Sequence, residues 1–566
     1  MIKKIFKKIE IINYWFIYLL ISIYFSFLIG EFFYDSIYSP DFSKYKIYMD
    51  YFQGNIEKTY LEQNLSYFFI QSFIFSLQNE KLFDYNFNAL LDSSIFMTNN
   101  FLYIIGLIGI YKVLLNFNFK KNDILISLTL LNFFPPVLGM RMIFKPEIFV
   151  FALIPWLIYS IELFIDTKNE KYLYISYFLS IYLFTIKPTS TAMCGLFLLI
   201  RYRDIFLKYG IKQILILLVS LMIIFTPLLI EDFDANGIFY FFHETNDEYI
   251  DRPDVTFLYN IDIVNIKEKP LKNYHADSLP GIILLDTFGD YFEVLWENDR
   301  SLFKFNKVNL GDNFFVNSYL RKYIGITLTL IFYCFTVLNL IKSKQFKDFY
   351  FLPFYGIITL LIVAYTGNFQ KTTGDVIKTT YYSFFLAITF CFLILKAINK
   401  LNKENKLFIS FLFIFLNLFI FGFPKESNPE YFRYLEANNV APFICNINQI
   451  FVPDRTTDCK NYELNICNFD IDDYKIERIR NENYSQSIKD KNTKLTTNDL
   501  KSEKTLQKNN LIIQVNDKEE CINYIENGFN PIKKNFKISN FPIINIGYII
   551  IALFIIIYLS ISKIRN

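Results

Sequence analysis

Several chemistry-bearing patterns are missing from this chain. No glycine-rich loop is spaced to cradle a phosphate, and no serine sits in a nucleophile elbow. The two histidines, His243 and His275, stand in no metal-ligand spacing and read as surface loop residues. These absences weigh against the hydrolase and ATPase chemistries of water-soluble enzymes. Net charge is also small, +3 over 566 residues, too near neutral to attract nucleic acid. No repeat of fixed period recurs. The first apolar run lacks a small-residue cleavage site and is long, so it reads as a retained helix rather than a removed signal peptide.

What is abundant is apolar surface. The chain is 53% hydrophobic and 19% aromatic, with a mean hydropathy of +0.27. Apolar runs near the roughly 20 residues that cross a bilayer recur along it, which predicts an all-α polytopic membrane protein. The richness in Phe, Tyr, Ile, Lys and Asn carries no functional message.

Basic residues order the runs into a topology. Lys3, Lys4, Lys7 and Lys8 precede a first span at 12–30. A long outward loop at 31–99 follows, holding a second apolar piece at 60–77. Further spans are expected at 101–115, 124–138 and from Glu147 to Lys168, then two short ones at 172–185 and 189–199. A span at 214–230 opens a second outward loop, 231–317. Spans ending at Lys342, Tyr365 and Lys396, one at 407–421 and one at 543–561 complete the set. That makes about twelve spans with both termini inside, every inward loop being basic. The predicted units are a membrane domain at 1–423, an outward segment at 424–541, and a last span with its tail at 542–566.

The first outward loop carries an acid beside an aromatic platform. Pro40 sets an extended approach, Ser43 suits a helix cap, and Gly54 suits a helix end. Tyr45, Tyr48, Met49 and Phe52 fall at i, i+3, i+4 and i+7, so they form one apolar face of a short helix lying flat at the membrane surface. Asp41 lies just before its first turn, where the helix dipole keeps a carboxylate ionised.

Short outward loops are normally poor in Lys and Arg. Three here are not: Arg141 and Lys145 lie in one, Lys187 in the next, Lys371 and Lys378 in a third. Drawn together, they would form an anion pocket suited to a phosphate. The plainer alternative is snorkelling to ordinary headgroups. Glu147 opens a span after Lys145-Pro146, where a first-turn carboxylate also simply favours the dipole. In the second outward loop, Pro280-Gly281 leads into an apolar helix with Asp286, Asp290 and Glu293 on one face. That face suits a sugar, with Tyr291 or Trp296 stacking on the ring; it equally suits a solvated acidic side.

Of seven cysteines, Cys194, Cys334 and Cys391 fall in spans and read as packing residues. Cys445, Cys459, Cys467 and Cys521 share the last outward segment, where two disulfides in any of three connectivities are open to them. Residues 481–509 are polar and low in apolar side chains, which predicts a mobile loop.

In this order the motifs resemble the GT-C superfamily of membrane glycosyltransferases, in the bacterial branch related to aminoarabinose transferases and protein O-mannosyltransferases. The resemblance rests on Pro40-Asp41-Phe42 with Tyr45, on Lys145-Pro146-Glu147, on Lys187-Pro188-Thr189, and on Gly374-Asp375-Val376-Ile377-Lys378-Thr379-Thr380-Tyr381. It covers residues 10–400. It implies a GT-C-like helical bundle with juxtamembrane helices in its outward loops. It also implies sugar transfer from a polyprenyl-phosphate donor to a hydroxyl of a glycan, lipid or protein, with inversion at the anomeric carbon. In the family the first-loop acid acts as general base or orients the acceptor; carried over, that implies Asp41 as the catalytic residue. Arg141, Lys145, Lys187 and Lys378 bind the donor phosphate, and Tyr45, Glu147, Asp286, Asp290 and Tyr381 line the substrate site. Phe42 departs from the adjacent acid pair many members carry, and the cysteine-bearing segment has no counterpart. No cofactor is called for, and no residue pattern supports a divalent metal. The expected setting is the bacterial inner membrane, with membrane lipids as neighbours. Alternatives are a transporter or flippase of lipid-linked saccharide, a polysaccharide polymerase or ligase, and a non-catalytic scaffold.

Overall fold

The computed structural model describes residues 14–33, 48–49, 51–52, 54, 64–77, 87–236, 255–261, 263, 279–289, 312–343, 349–366, 380–421 and 540–562. Every regular element among them is helical. In chain order the α-helices are α1 (Tyr14–Phe33), α2 (Leu65–Leu77), α3 (Phe87–Asn116), α4 (Lys121–Leu131), α5 (Pro135–Met140), α6 (Glu147–Thr167), α7 (Glu170–Ile186) and α8 (Pro188–Arg201). They continue with α9 (Arg203–Asn236), α10 (Leu279–Asp286), α11 (Asp312–Ser343), α12 (Leu352–Thr366), α13 (Thr380–Ile398), α14 (Lys403–Phe421) and α15 (Ile543–Ile561). Among the described residues, four stretches are long and apolar enough to cross a membrane: Ser94–Asn116, Glu147–Thr167, Lys322–Lys342 and Ile543–Ile561. Shorter apolar stretches stand in α1, α2, α9, α12 and α13.

Helix α6 is the axis of the bundle. Within its apolar window 89% of residues are buried, against 22% for the windows of α11 and α15 at the periphery. Helix α3 lies along it, and two glycines set the approach. A Cβ on Gly106 would stand 2.6 Å from the Phe151 ring, and one on Gly109 2.8 Å from Pro155. Small residues thus let two backbones close on each other where apolar attraction alone is weak. The Trp156 indole N–H donates to the Ile105 carbonyl at 3.1 Å across the same seam.

The predicted span at 124–138 is not one helix. It breaks at Asn132–Phe134 into α4 and α5. Pro135 and Pro136 lack the N–H that would continue α4, and Phe134 takes the extended backbone that a following proline imposes (φ −75°, ψ 119°). The 11 residues of α4 reach about 16 Å, too short to cross a bilayer. Asn132 knits the break: its Oδ1 accepts from Tyr103 and its Nδ2 donates to Ser22 on α1. Two loops predicted from polarity are instead helical, with α9 running through Lys208 and Lys212 and α3 through Asn99. Cys391 is buried, but Cys334 faces outward on peripheral α11 and does not pack in the core.

The bundle has two chemically distinct ends. At one, Arg201 bonds Glu162, Lys406 pairs with Asp123, Lys112 and Tyr159 donate to the Ser560 and Ser562 carbonyls, and Tyr172 stacks on Tyr558. The helix ends there are the lysine-rich ones. The other end gathers the start of α2, the start of α6, the end of α7 and the start of α15, through Asn64–Thr185, Ser66–Asn545 and the Glu147–Lys187 pair.

Candidate functional site

Two of the charges singled out in the sequence, Glu147 and Lys187, pair at that second end, with Lys145 two residues before Glu147 along the chain. Pro146 precedes α6 and Glu147 occupies its first turn. Lys187 joins α7 to α8 in extended backbone (φ −153°, ψ 92°), as a residue before proline should. Its Nζ lies 3.6 Å from Glu147 Oε1. Lys145 stands one residue before Pro146, and all three side chains are more than nine-tenths buried. Glu147 Oε2 has no hydrogen-bond partner.

Residues from elsewhere hold this cluster in place. The Tyr67 hydroxyl donates to Asn99 Oδ1 at 2.8 Å. Asn99 Nδ2 in turn donates to the Arg141 and Ile143 carbonyls at 3.0 and 2.8 Å, pinning the loop that delivers Lys145. Burial first, then the nearby Glu147 charge, pushes the Tyr67 hydroxyl well above its ordinary range, so it serves as a donor and not as a base.

Arg141 differs from the expectation of a surface-loop cation. It is fully buried and turned inward. Its Nε and Nη2 donate to Asn100 Oδ1 at 3.0 and 2.6 Å, its Nη1 donates to Ser26 at 2.8 Å, and the guanidinium lies 4.2 Å from the Tyr103 ring centre. Neither snorkelling nor an open phosphate loop describes it. Burial brings its pKa down to about 10, with Tyr103 drawing the other way, so it remains charged at neutral pH.

The remaining expected residues are placed unevenly. Asp41, Tyr45, Asp290 and Lys378 lie outside the described residues, as do Lys371, Glu293, Cys445, Cys459, Cys467 and Cys521. Tyr48, Met49 and Phe52 from the first-loop face are buried, with Tyr48 stacked on Phe68 at 3.8 Å, so that face packs into the bundle. Gly54 takes φ 73° and its N–H bonds the Tyr51 carbonyl, the left-handed turn expected of a helix-ending glycine. Asp286 ends α10, and the chain turns at Thr287–Gly289, so the acidic face does not continue as one helix. Tyr381 lies in the first turn of α13. Among the described residues no group of three or more His, Cys, Asp or Glu side chains is placed to hold a metal.

Sequence reading missed Tyr67, Asn99, Asn545 and Glu231. Glu231 on α9 accepts the backbone N–H groups of Ile544 and Asn545 at 2.8 and 2.7 Å, and the Asn545 side chain at 2.8 Å. The signal available was a lone Asn in a strongly apolar 19-residue helix, since a polar group in such a segment needs a partner. Comparison with protein-family models, with curated proteins and with solved structures returns no match.

Proposed function

We propose that this chain is a membrane glycosyltransferase of GT-C type, a bundle of about twelve spans with its lysine-rich end in the cytoplasm of a bacterium. It would act at the opposite end on a polyprenyl-phosphate sugar. The observation that carries this reading is the buried Glu147–Lys187 pair joining two separate helix ends, with buried Lys145 two residues before Glu147, away from the lysine-rich end.

In the reaction, the acceptor hydroxyl oxygen forms a bond to the anomeric carbon as the bond from that carbon to the phosphate oxygen breaks. Asp41 takes the acceptor proton, and the electron pair leaves with the polyprenyl phosphate. Lys145, Lys187 and Lys378 stabilise the charge that grows on that phosphate. Glu147 Oε2, buried with an unused lone pair, accepts from a sugar hydroxyl. Arg141 is a positioning residue, holding the loop that carries Lys145 through Asn100 and Ser26.

The test is turnover of labelled polyprenyl-phosphate sugar in membranes containing the full chain. Asp41→Asn should lose about 100-fold or more, the usual span for a general base. Movement of the lipid without cleavage would replace the transferase with a transporter. Full activity of Asp41→Asn would remove the assigned base.

A further inference from the structure

The charged cluster is sealed. Lys145, Glu147 and Lys187 are 6%, 3% and 7% exposed. The first turn of α2 lies over them. Tyr67 stands beside Glu147 and the Lys145 backbone. The Tyr67 and Phe68 rings sit 6.0 and 5.5 Å from Phe144, just before Lys145. Asn64 caps the turn through the Ser66 N–H and reaches Thr185, two residues from Lys187.

The same turn is fastened from the other side by a chain of polar contacts. Ser66 Oγ donates to Asn545 Oδ1 at 2.6 Å, and the Tyr182 hydroxyl donates to Ser66 Oγ at 2.8 Å. Asn545 is itself held by Glu231. The other walls are α6 and α7, long helices locked into the apolar core. Helix α2 has only 13 residues, about 20 Å; its first turn enters the same core through Leu65, Tyr67 and Phe68, and side-chain hydrogen bonds tie it to α7 and α15.

We propose that the first turn of α2 is a gate over the Lys145–Glu147–Lys187 cluster, held shut by the Ser66–Asn545–Glu231 chain of hydrogen bonds. A ligand reaches the cluster when that chain parts and the turn swings off Phe144. The gate rests on the transferase reading only in assuming that the cluster meets a ligand. Its test needs no turnover.

The test is lysine acylation of the full chain in detergent micelles by a water-soluble N-hydroxysuccinimide ester, quantified residue by residue by mass spectrometry. In the wild type, Lys145 and Lys187 should react far more slowly than exposed Lys168 and Lys171. Ser66→Ala, which removes one oxygen, and Asn545→Ala should each raise the rates at Lys145 and Lys187 about tenfold or more. Lys406, buried in its pair with Asp123 at the far end, should not change. Joining Ser66→Cys to Asn545→Cys with a short thiol crosslinker should return the rates to wild type or below. Unchanged rates in both alanine variants would overturn the gate, and so would an equal rise at Lys406, which would mean general loosening. Responsive labelling without sugar transfer would keep the gate and remove the transferase; transfer without responsive labelling would do the reverse.

Discussion

Replacing Lys187 by Met should cost this protein stability that a second substitution restores. The Lys187 Nζ lies 3.6 Å from Glu147 Oε1 in a site nearly closed to water. At an effective dielectric near 20, that separation is worth about 4–5 kcal/mol of attraction. Relaxation around the stranded carboxylate offsets part of this, so the net loss on Lys187→Met should be about 3 kcal/mol. Each 1.4 kcal/mol is tenfold, so the unfolding constant should rise about 100-fold or slightly more. Glu147→Met alone takes the carboxylate away from buried Lys187 and should cost a similar amount. The double variant removes both charges and should return to within about 1 kcal/mol of wild type. Reversible unfolding in mixed micelles, followed by the fluorescence of buried Trp156, measures all four corners of the cycle. If the two losses simply add, with coupling below about 0.5 kcal/mol, the pair does not form as described.

Two further perturbations test the frame around the site. Gly109→Leu should destabilise by about 1–3 kcal/mol through overpacking against Pro155 and Trp156. Gly547→Ala, where a Cβ meets nothing within 4 Å, should be neutral or slightly stabilising; both are read from unfolding midpoints. Arg141→Leu should cost about 2–3 kcal/mol by stranding Asn100 Oδ1, whereas Lys171→Leu at an exposed helix end should stay within about 0.5 kcal/mol on the same measurement.

How far the sequence could be read depended on the range of the physics involved. Apolar runs are local, so the last helix was legible to the residue at 543–561, and the short helices around Lys187-Pro188 were legible within a few positions. Pro135-Pro136 announced the break after α4, yet the hydrophobicity around it is continuous and hid it. Lys145, Glu147 and Lys187 stood out because charge beside proline at a span end is rare. Their supports did not. Ser66 and Asn545 are 479 residues apart, and Asn64 and Thr185 are 121 apart, so no periodicity relates them. Arg141 was legible as an exception but not in its role, because only the tertiary structure shows Ser26 and Asn100 already using its guanidinium.

The two anchors of α15 have a bearing on how the chain comes together. A carboxylate, Glu231, meets the amide end of that helix, and an ammonium, Lys112, meets its carbonyl end. Threaded the opposite way, the same helix would set acid against carbonyls and amine against amides, two repulsions in place of two attractions. The bundle therefore proofreads the direction of its final segment by polarity, whichever way the lysines outside the membrane happen to pull.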